Sequence, residues 1–144
     1  MIYCGYQGCG KSTYCRDNPD TTVDLDSSLF IKKDKWEEEY VKIANLLSEG
    51  CGKKVFISAH RVVIEYLLKN NILFELLLPA QNSKAWRNRL EFRYNINPTQ
   101  ANLNALIDFD KNYETDMEFY KQVQCKKYYI SASVITDIDM ITEG

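Results

Sequence analysis

One histidine, His60, stands in the 144 residues, and none of the five cysteines (positions 4, 9, 15, 51 and 125) belongs to a Cys-x-x-Cys pair. A zinc site therefore lacks its usual ligand spacing. No serine–histidine–aspartate motif points to a hydrolase. The odd cysteine count and absent pairing predict free thiols in a reducing, cytoplasmic setting. No apolar run reaches the roughly 18 residues that a membrane-crossing helix needs; the longest, 72–80, is interrupted by Glu75. The N-terminus runs straight into Ile2-Tyr3-Cys4-Gly5, so no signal peptide is expected. The formal net charge of −2 disfavours a broad nucleic-acid surface, which is usually strongly basic, while leaving room for a small basic groove. Repeats, low-complexity stretches and Pro/Gly-rich linkers are missing as well, which predicts one domain over residues 1–144.

What is present is an alternation of short apolar strands with longer helical patterns, the signature of a parallel sheet covered by helices. Strands are expected at 2–5, 22–25, 55–59, 72–78 and 127–131. Helices are expected from about Lys11, over 34–48, over 61–70 and over 83–94. In the second of these, Trp36, Tyr40, Ile43, Ala44 and Leu47 recur at helical spacing, with Glu37, Glu38 and Glu39 in the favoured first turns. Asn97-Pro98 predicts a further helix start, with Asn97 as cap and Pro98 in the first turn. Leu103, Leu106, Ile107, Tyr113, Met117, Tyr120 and Val123 carry its apolar face; whether 98–124 is one helix or two stays open, as does the tail after Val134.

The most specific feature is Gly5-Tyr6-Gln7-Gly8-Cys9-Gly10-Lys11-Ser12, a full Gly-x-x-x-x-Gly-Lys-Ser between a strand and a helix. Gly5 and Gly10 allow close backbone approach to phosphate. The N–H groups from Gly8 through Cys9 and Gly10 to Thr13, with Gln7 beside them, predict an anion cradle at a helix N-terminus. Lys11 supplies a mobile charge for the β- and γ-phosphates, and the Ser12 hydroxyl a ligand for Mg²⁺. These residues predict binding of a nucleoside triphosphate. Cys9, inside the loop, reads either as an oxidation sensor or as a small tolerated side chain.

Asp24 and Asp26 follow the second strand and, in an extended segment, point the same way. Asp24 suits the metal role, being closer to the strand. Asp26 suits substrate contact and acceptance of the hydroxyl proton; an Asx-rich turn is the plainer reading. With the loop, this pair resembles shikimate-kinase-type enzymes. The wider pattern resembles short nucleoside-monophosphate-kinase-like proteins, many encoded by bacteriophages. It comprises Val23-Asp-Leu-Asp-Ser-Ser, Trp36 and Tyr40, Val55-Phe-Ile-Ser-Ala-His60-Arg61, and Pro79 with Lys84, Trp86, Arg89 and Arg93. The resemblance covers roughly residues 1–110. It implies an α/β P-loop kinase-like three-layer fold, ATP and Mg²⁺ use, and phosphoryl transfer to a small acceptor. One departure stands out: strands three and four lack the Walker B aspartate of many ATPases and GTPases, and Asn-Lys-x-Asp is absent. Asp24 is expected to replace the missing carboxylate.

Lys84, Arg87, Arg89 and Arg93 fall in ten residues and predict a basic lid over 82–96. Arg89 and Arg93, four apart on one face, are expected to clamp phosphate, with Trp86, Leu90 and Tyr94 on the neighbouring apolar face. Arg87 is expected near the substrate. His60 and Arg61, at the carboxyl tip of the third strand, are candidates for acceptor contact, since ligands bind at that edge of open parallel sheets. The acceptor expected is a nucleoside or nucleoside monophosphate. A nucleic-acid hydroxyl and a non-catalytic ATP-binding regulator are the competing readings.

Overall fold

The structure, a computed structural model, describes residues 1–80 and 83–130. Five strands form one sheet: β1 (Ile2–Gly5), β2 (Thr22–Asp24), β3 (Lys54–Ser58), β4 (Phe74–Pro79) and β5 (Lys126–Ile130). All neighbours pair in parallel, in the order β2-β3-β1-β4-β5. Five α-helices provide the crossovers: α1 (Lys11–Asp17), α2 (Trp36–Asn45), α3 (Arg61–Lys69), α4 (Ser83–Ile96) and α5 (Gln100–Gln122). β1 is central and wholly buried, which explains its unbroken apolar sequence: strands covered on both faces do not alternate. The register sets Gly5 opposite Ser58 on one side and Leu77 on the other. The glycine loop after β1 and the His60 tip after β3 therefore share one edge of the sheet.

The expected elements are all found among the described residues, with shifted ends. β2 stops at Asp24, and a 3-10 turn over Ser27–Leu29 follows. β4 starts at Phe74 and includes Pro79. The expected fifth-strand residue Ser131 lies outside the described residues. α2 passes into a π-helical turn over Leu46–Gly50 before the chain reverses at Gly52, whose φ is 64°. Residues 100–122 form one helix. Its cap is Thr99, not Asn97: the Thr99 hydroxyl accepts the Asn102 N–H at 3.1 Å. Pro98 thus precedes the cap, and Asn97 instead offers its carbonyl to the Asn102 side chain at 2.9 Å. On α5 the buried positions are Leu106, Phe109 and Tyr120, while Ile107 is exposed. The sequence reading missed Phe109 and misassigned Ile107.

Three buried aromatics use polar tips to fasten helices to the sheet edge. Tyr40 on α2 donates its hydroxyl to the Leu25 carbonyl and accepts the Ser58 N–H at 3.0 Å, joining the ends of β2 and β3. Tyr120 on α5 donates to the Ala59 carbonyl. Trp86 on α4 donates to the Gln7 carbonyl at 2.9 Å. Such rings supply apolar area and a directional bond together. The Tyr40→Phe protein should keep the core but leave Leu25 and Ser58 backbone groups unpaired. We expect a loss of about 1–3 kcal/mol in urea unfolding with an unchanged m-value.

Candidate active site

The loop geometry explains its glycines. Gly8 has φ 87° and Gly10, which caps α1, has φ 92°, a region that side chains occupy at a cost. Gly5 is required by crowding, since a Cβ there would lie 2.6 Å from Cys9 Sγ. A Cβ on Gly8 would meet Leu90 Cδ2 at 2.9 Å, so α4 packs directly on the loop. The Cys9 N–H closes a turn on the Tyr6 carbonyl at 3.2 Å, so it departs from the expected set of phosphate donors. The first in-helix bond of α1 runs from Tyr14 N–H to the Gly10 carbonyl. Lys11, Ser12 and Thr13 are thus the residues whose N–H groups precede the helical ladder.

Two cavities open on this edge, and Lys11 lies in the wall of both. One, of about 200 Å³, is lined by Gly8, Cys9, Gly10, Ser12 and Thr13 together with Arg89 and Arg93. Arg89 Nε donates to the Gly8 carbonyl at 2.7 Å. Neither arginine forms an ion pair among the described residues. Burial lowers the pKa of each, and the charge of Arg93 lowers that of Arg89 further. This is a concentrated positive wall, and no carboxylate among the described residues pairs with it. Asn82 of the expected lid lies outside the described residues; Lys84, Arg87 and the rest of 83–96 form α4, which is packed rather than free-standing, since Trp86 and Leu90 are buried in the main core. Arg87 departs from its expected substrate role. It is bound by Asp110 at 2.7 Å and by Glu91 at 2.7 Å on the outer face, tying α4 to α5.

Ser12 Oγ donates to Asp24 Oδ2 at 2.7 Å. A hydroxyl and a carboxylate so close at the loop present hard oxygen donors of the kind Mg²⁺ takes while keeping several waters, and the pair fits such an ion. Asp26 stands apart. Its Oδ1 accepts the Ser28 N–H at 2.9 Å, capping the 3-10 turn, and it lines neither cavity. Cys9 is buried, and burial raises its thiol pKa against the opposing charges of Lys11 and Arg89. That environment favours the inert reading of this cysteine over the sensor.

The second cavity, of about 180 Å³, is lined by Gly5, Gln7, His60 and Arg61, and also by Tyr6, Tyr120, Asp108 and Asp116. Gln7 was expected beside phosphate; its amide instead donates to Asp108 Oδ2 at 3.1 Å and the Ala105 carbonyl at 3.2 Å. Arg61 lies over the Phe119 ring at 4.5 Å. His60 opens to the cavity beside Trp36, with Nε2 3.3 Å from Ser27 Oγ. Packing around the ring lowers its pKa from the ordinary histidine value; Asp108 opposes this and Lys11 adds to it. The sequence reading missed Asp108 and Asp116. A signal existed: Phe109, Tyr113, Asp116 and Tyr120 follow at spacings of four, three and four, which sets a carboxylate in an apolar helical stripe.

The fold has counterparts among solved structures. A shikimate kinase from Bacteroides thetaiotaomicron superposes with a TM-score of 0.52 at 18% identity, over 99% of this chain and 95% of that one. The chain has a P-loop kinase-like fold. An uncharacterized protein from Eubacterium ventriosum ATCC 27560 superposes with a TM-score of 0.50 at 12% identity, over 99% and 95% of the two chains. No protein-family model and no curated protein sequence matches the chain. At these identities the likeness shows the fold, and no more is carried from either protein. No helix among the described residues is long and apolar enough to cross a membrane.

Gly8→Ala tests the packed loop. The left-handed φ alone should cost about 1–2 kcal/mol, and displacement of Leu90 should open the cradle. We expect at least a tenfold loss of ATP affinity by fluorescence titration. Gly50→Ala, where a Cβ meets only Leu46 Cδ1 at 3.5 Å, should leave affinity unchanged.

Proposed function

We propose that this chain, as one domain, is a kinase that transfers the γ-phosphoryl group of ATP to a small acceptor. The observation that carries this reading is the placement of Lys11 in the shared wall of two cavities. One is a glycine-rich cradle faced by two arginines that form no ion pair among the described residues, and the other a separate chamber of polar side chains. A phosphate chain laid in the cradle ends at Lys11, where a molecule in the chamber can reach it. That proximity is itself a large part of the catalysis of phosphoryl transfer.

Each residue has a physical task. The backbone N–H groups near Lys11, Ser12 and Thr13 hold phosphate oxygens. Lys11 bridges toward the transferred group, and Arg89 and Arg93 offset the charge that spreads over its oxygens. Ser12 and Asp24 would hold Mg²⁺, which would supply positive charge to offset that of the phosphate chain. Asp24, close to Ser12, would stand in for the Walker B aspartate that β3 and β4 lack. For an acceptor hydroxyl, His60 takes the base role that sequence reasoning assigned to Asp26. It lines the chamber, and its lowered pKa keeps it neutral near pH 7. Ser27 donates to Ser58 Oγ at 3.2 Å. In that arrangement the Ser27 oxygen accepts the Nε2 proton of His60, and Nδ1 keeps a lone pair for the acceptor proton.

Lys11→Ala should reduce transfer at least a thousandfold, measured with labelled ATP, while urea unfolding stays within about 0.5 kcal/mol of wild type. Wild-type turnover in that variant overturns the proposal. The base assignment has its own test. The acid limb of kcat/KM should fall at a pH below the ordinary histidine value of about 6.5, because His60 accepts a proton only when neutral and its pKa is lowered. His60→Asn should lose most activity and flatten that limb, whereas Asp26→Asn should retain it.

A further inference from the structure

The kinase reading leaves the chamber's preference open, and its charge pattern narrows that preference. Asp108 and Asp116 on α5 enter its wall together. Asp116 is half-buried and makes no hydrogen bond among the described residues. Burial and the charge of Asp108 both disfavour its ionised form, and Arg61 opposes them. Asp108 is better supported, by the Gln7 amide and by Asn112 at 2.8 Å. An independent feature lies beside them. Tyr6 is only 3% exposed, lines the same cavity, and its hydroxyl makes no well-formed hydrogen bond among the described residues, the Gln7 side chain being its nearest polar neighbour. A buried hydroxyl without a partner costs roughly as much as a lost hydrogen bond, and a polar ligand in the chamber would remove that cost. Its ring packs edge-on against Tyr113 and Tyr120 at 6.2 and 6.4 Å, which holds it in place.

Resting on the kinase reading, we propose that the chamber takes a polyhydroxylated acceptor that is neutral or bears an amine, and refuses acceptors carrying a phosphate or carboxylate beside the receiving hydroxyl. A free nucleoside and an amino sugar are two members of this class; a nucleoside monophosphate lies outside it. Carboxylates accept hydrogen bonds from hydroxyl and ammonium groups and repel anions. Two cations share this wall, and the one that acts on Asp116, Arg61, offsets burial and the charge of Asp108 only in part. Lys11 belongs to the phosphate chain, and Arg61 stacks on Phe119. In the transfer, the acceptor hydroxyl oxygen forms the new bond to the γ-phosphorus. The bond from that phosphorus to the ADP oxygen breaks, and its electron pair leaves with ADP. The hydroxyl proton passes to His60. The remaining hydroxyl or amine groups donate to Asp108 and Asp116, and the Tyr6 hydroxyl bonds a further acceptor oxygen.

The test is a panel of nucleosides, amino sugars, neutral polyols, nucleoside monophosphates and hydroxy acids, assayed with labelled ATP on wild type, Asp108→Asn and Asp116→Asn. We expect kcat/KM for the best uncharged or aminated acceptor to exceed that of every anionic one by about a hundredfold or more, a margin in line with like charges brought close. Each asparagine variant should reduce that ratio about tenfold. Efficient phosphorylation of a monophosphate or hydroxy acid by wild type overturns the acceptor class and leaves the kinase reading standing. If ATP binds and nothing in the panel is phosphorylated, the kinase reading falls. Calorimetric titration of the same panel into ATP-loaded protein then decides the chamber alone. Binding of uncharged or aminated polyols that weakens in Asp116→Asn upholds the preference, and binding of anions, or of no member, overturns it.

Discussion

The site depends on how α4 holds the glycine loop. Trp86 Nε1 fixes the Gln7 carbonyl and Arg89 Nε fixes the Gly8 carbonyl. The peptide between Gln7 and Gly8 is planar and trans, so a carbonyl pinned toward α4 turns the Gly8 N–H to the opposite side. Cys9 is spent closing the turn onto Tyr6. The loop conformation is thus imposed from outside as well as by its glycines. Because Leu90 sits against Gly8, any side chain there would push the helix and its arginines away together. A helix read from sequence as a lid is instead part of the loop's foundation, and Arg89 serves both as a strut through Nε and as a cation in the cavity beside the loop.

Sheet order converts this into a divided site. β1 lies between β3 and β4, so the loop leaves the sheet beside the β3 tip that carries His60 and Arg61. Tyr40 and Tyr120 hold that tip from both sides, through Ser58 and Ala59. Arg89 and Arg93 lie on one side of Lys11, and Asp108 and Asp116, with Arg61 beside them, on the other. The first two arginines come from α4 and the aspartates from α5, and the exposed Arg87–Asp110 pair joins the two helices. Exposed pairs of this kind contribute little to stability; this one bears on how the two charged walls face each other.

The strands, the glycine loop and the closeness of Asp24 to that loop were legible because each is a local pattern: an apolar run, a fixed spacing, an acidic residue at a strand end. Lys11, Ser12, Arg89 and Arg93 meet at one cavity as their types and spacing predicted. What was not legible depends on contacts made far along the chain. Nothing near Gln7 shows that its amide meets Asp108, about a hundred residues away. Nothing near Trp86 shows that its ring nitrogen meets the loop. Asp26 shows the converse case: a local cap on Ser28 won over a distant role, because an aspartate two residues before a free N–H satisfies it without any tertiary constraint. Asp116 was visible as an interruption of an apolar stripe, but only the fold tells which surface that stripe covers.

Gln7 joins these threads. Its carbonyl is held by α4 and its amide by α5, and its neighbour Tyr6 donates its N–H to the Leu77 carbonyl of β4 at 2.9 Å. One residue of the glycine loop therefore meets the carboxylate that faces the second chamber. A molecule that bonds to Asp108 competes for the oxygen now bound by the Gln7 amide, and so acts on the loop through two covalent residues rather than through a long relay. Coupling of this sort needs only that the Gln7 amide have two arrangements, on Asp108 or released from it. The differential contact is a single hydrogen bond to a carboxylate, which limits the effect to roughly a tenfold change in affinity between the two chambers. The division of charge at Lys11 and the bridge at Gln7 thus have the same origin: a loop wedged between two helices that bring opposite charges to its two faces.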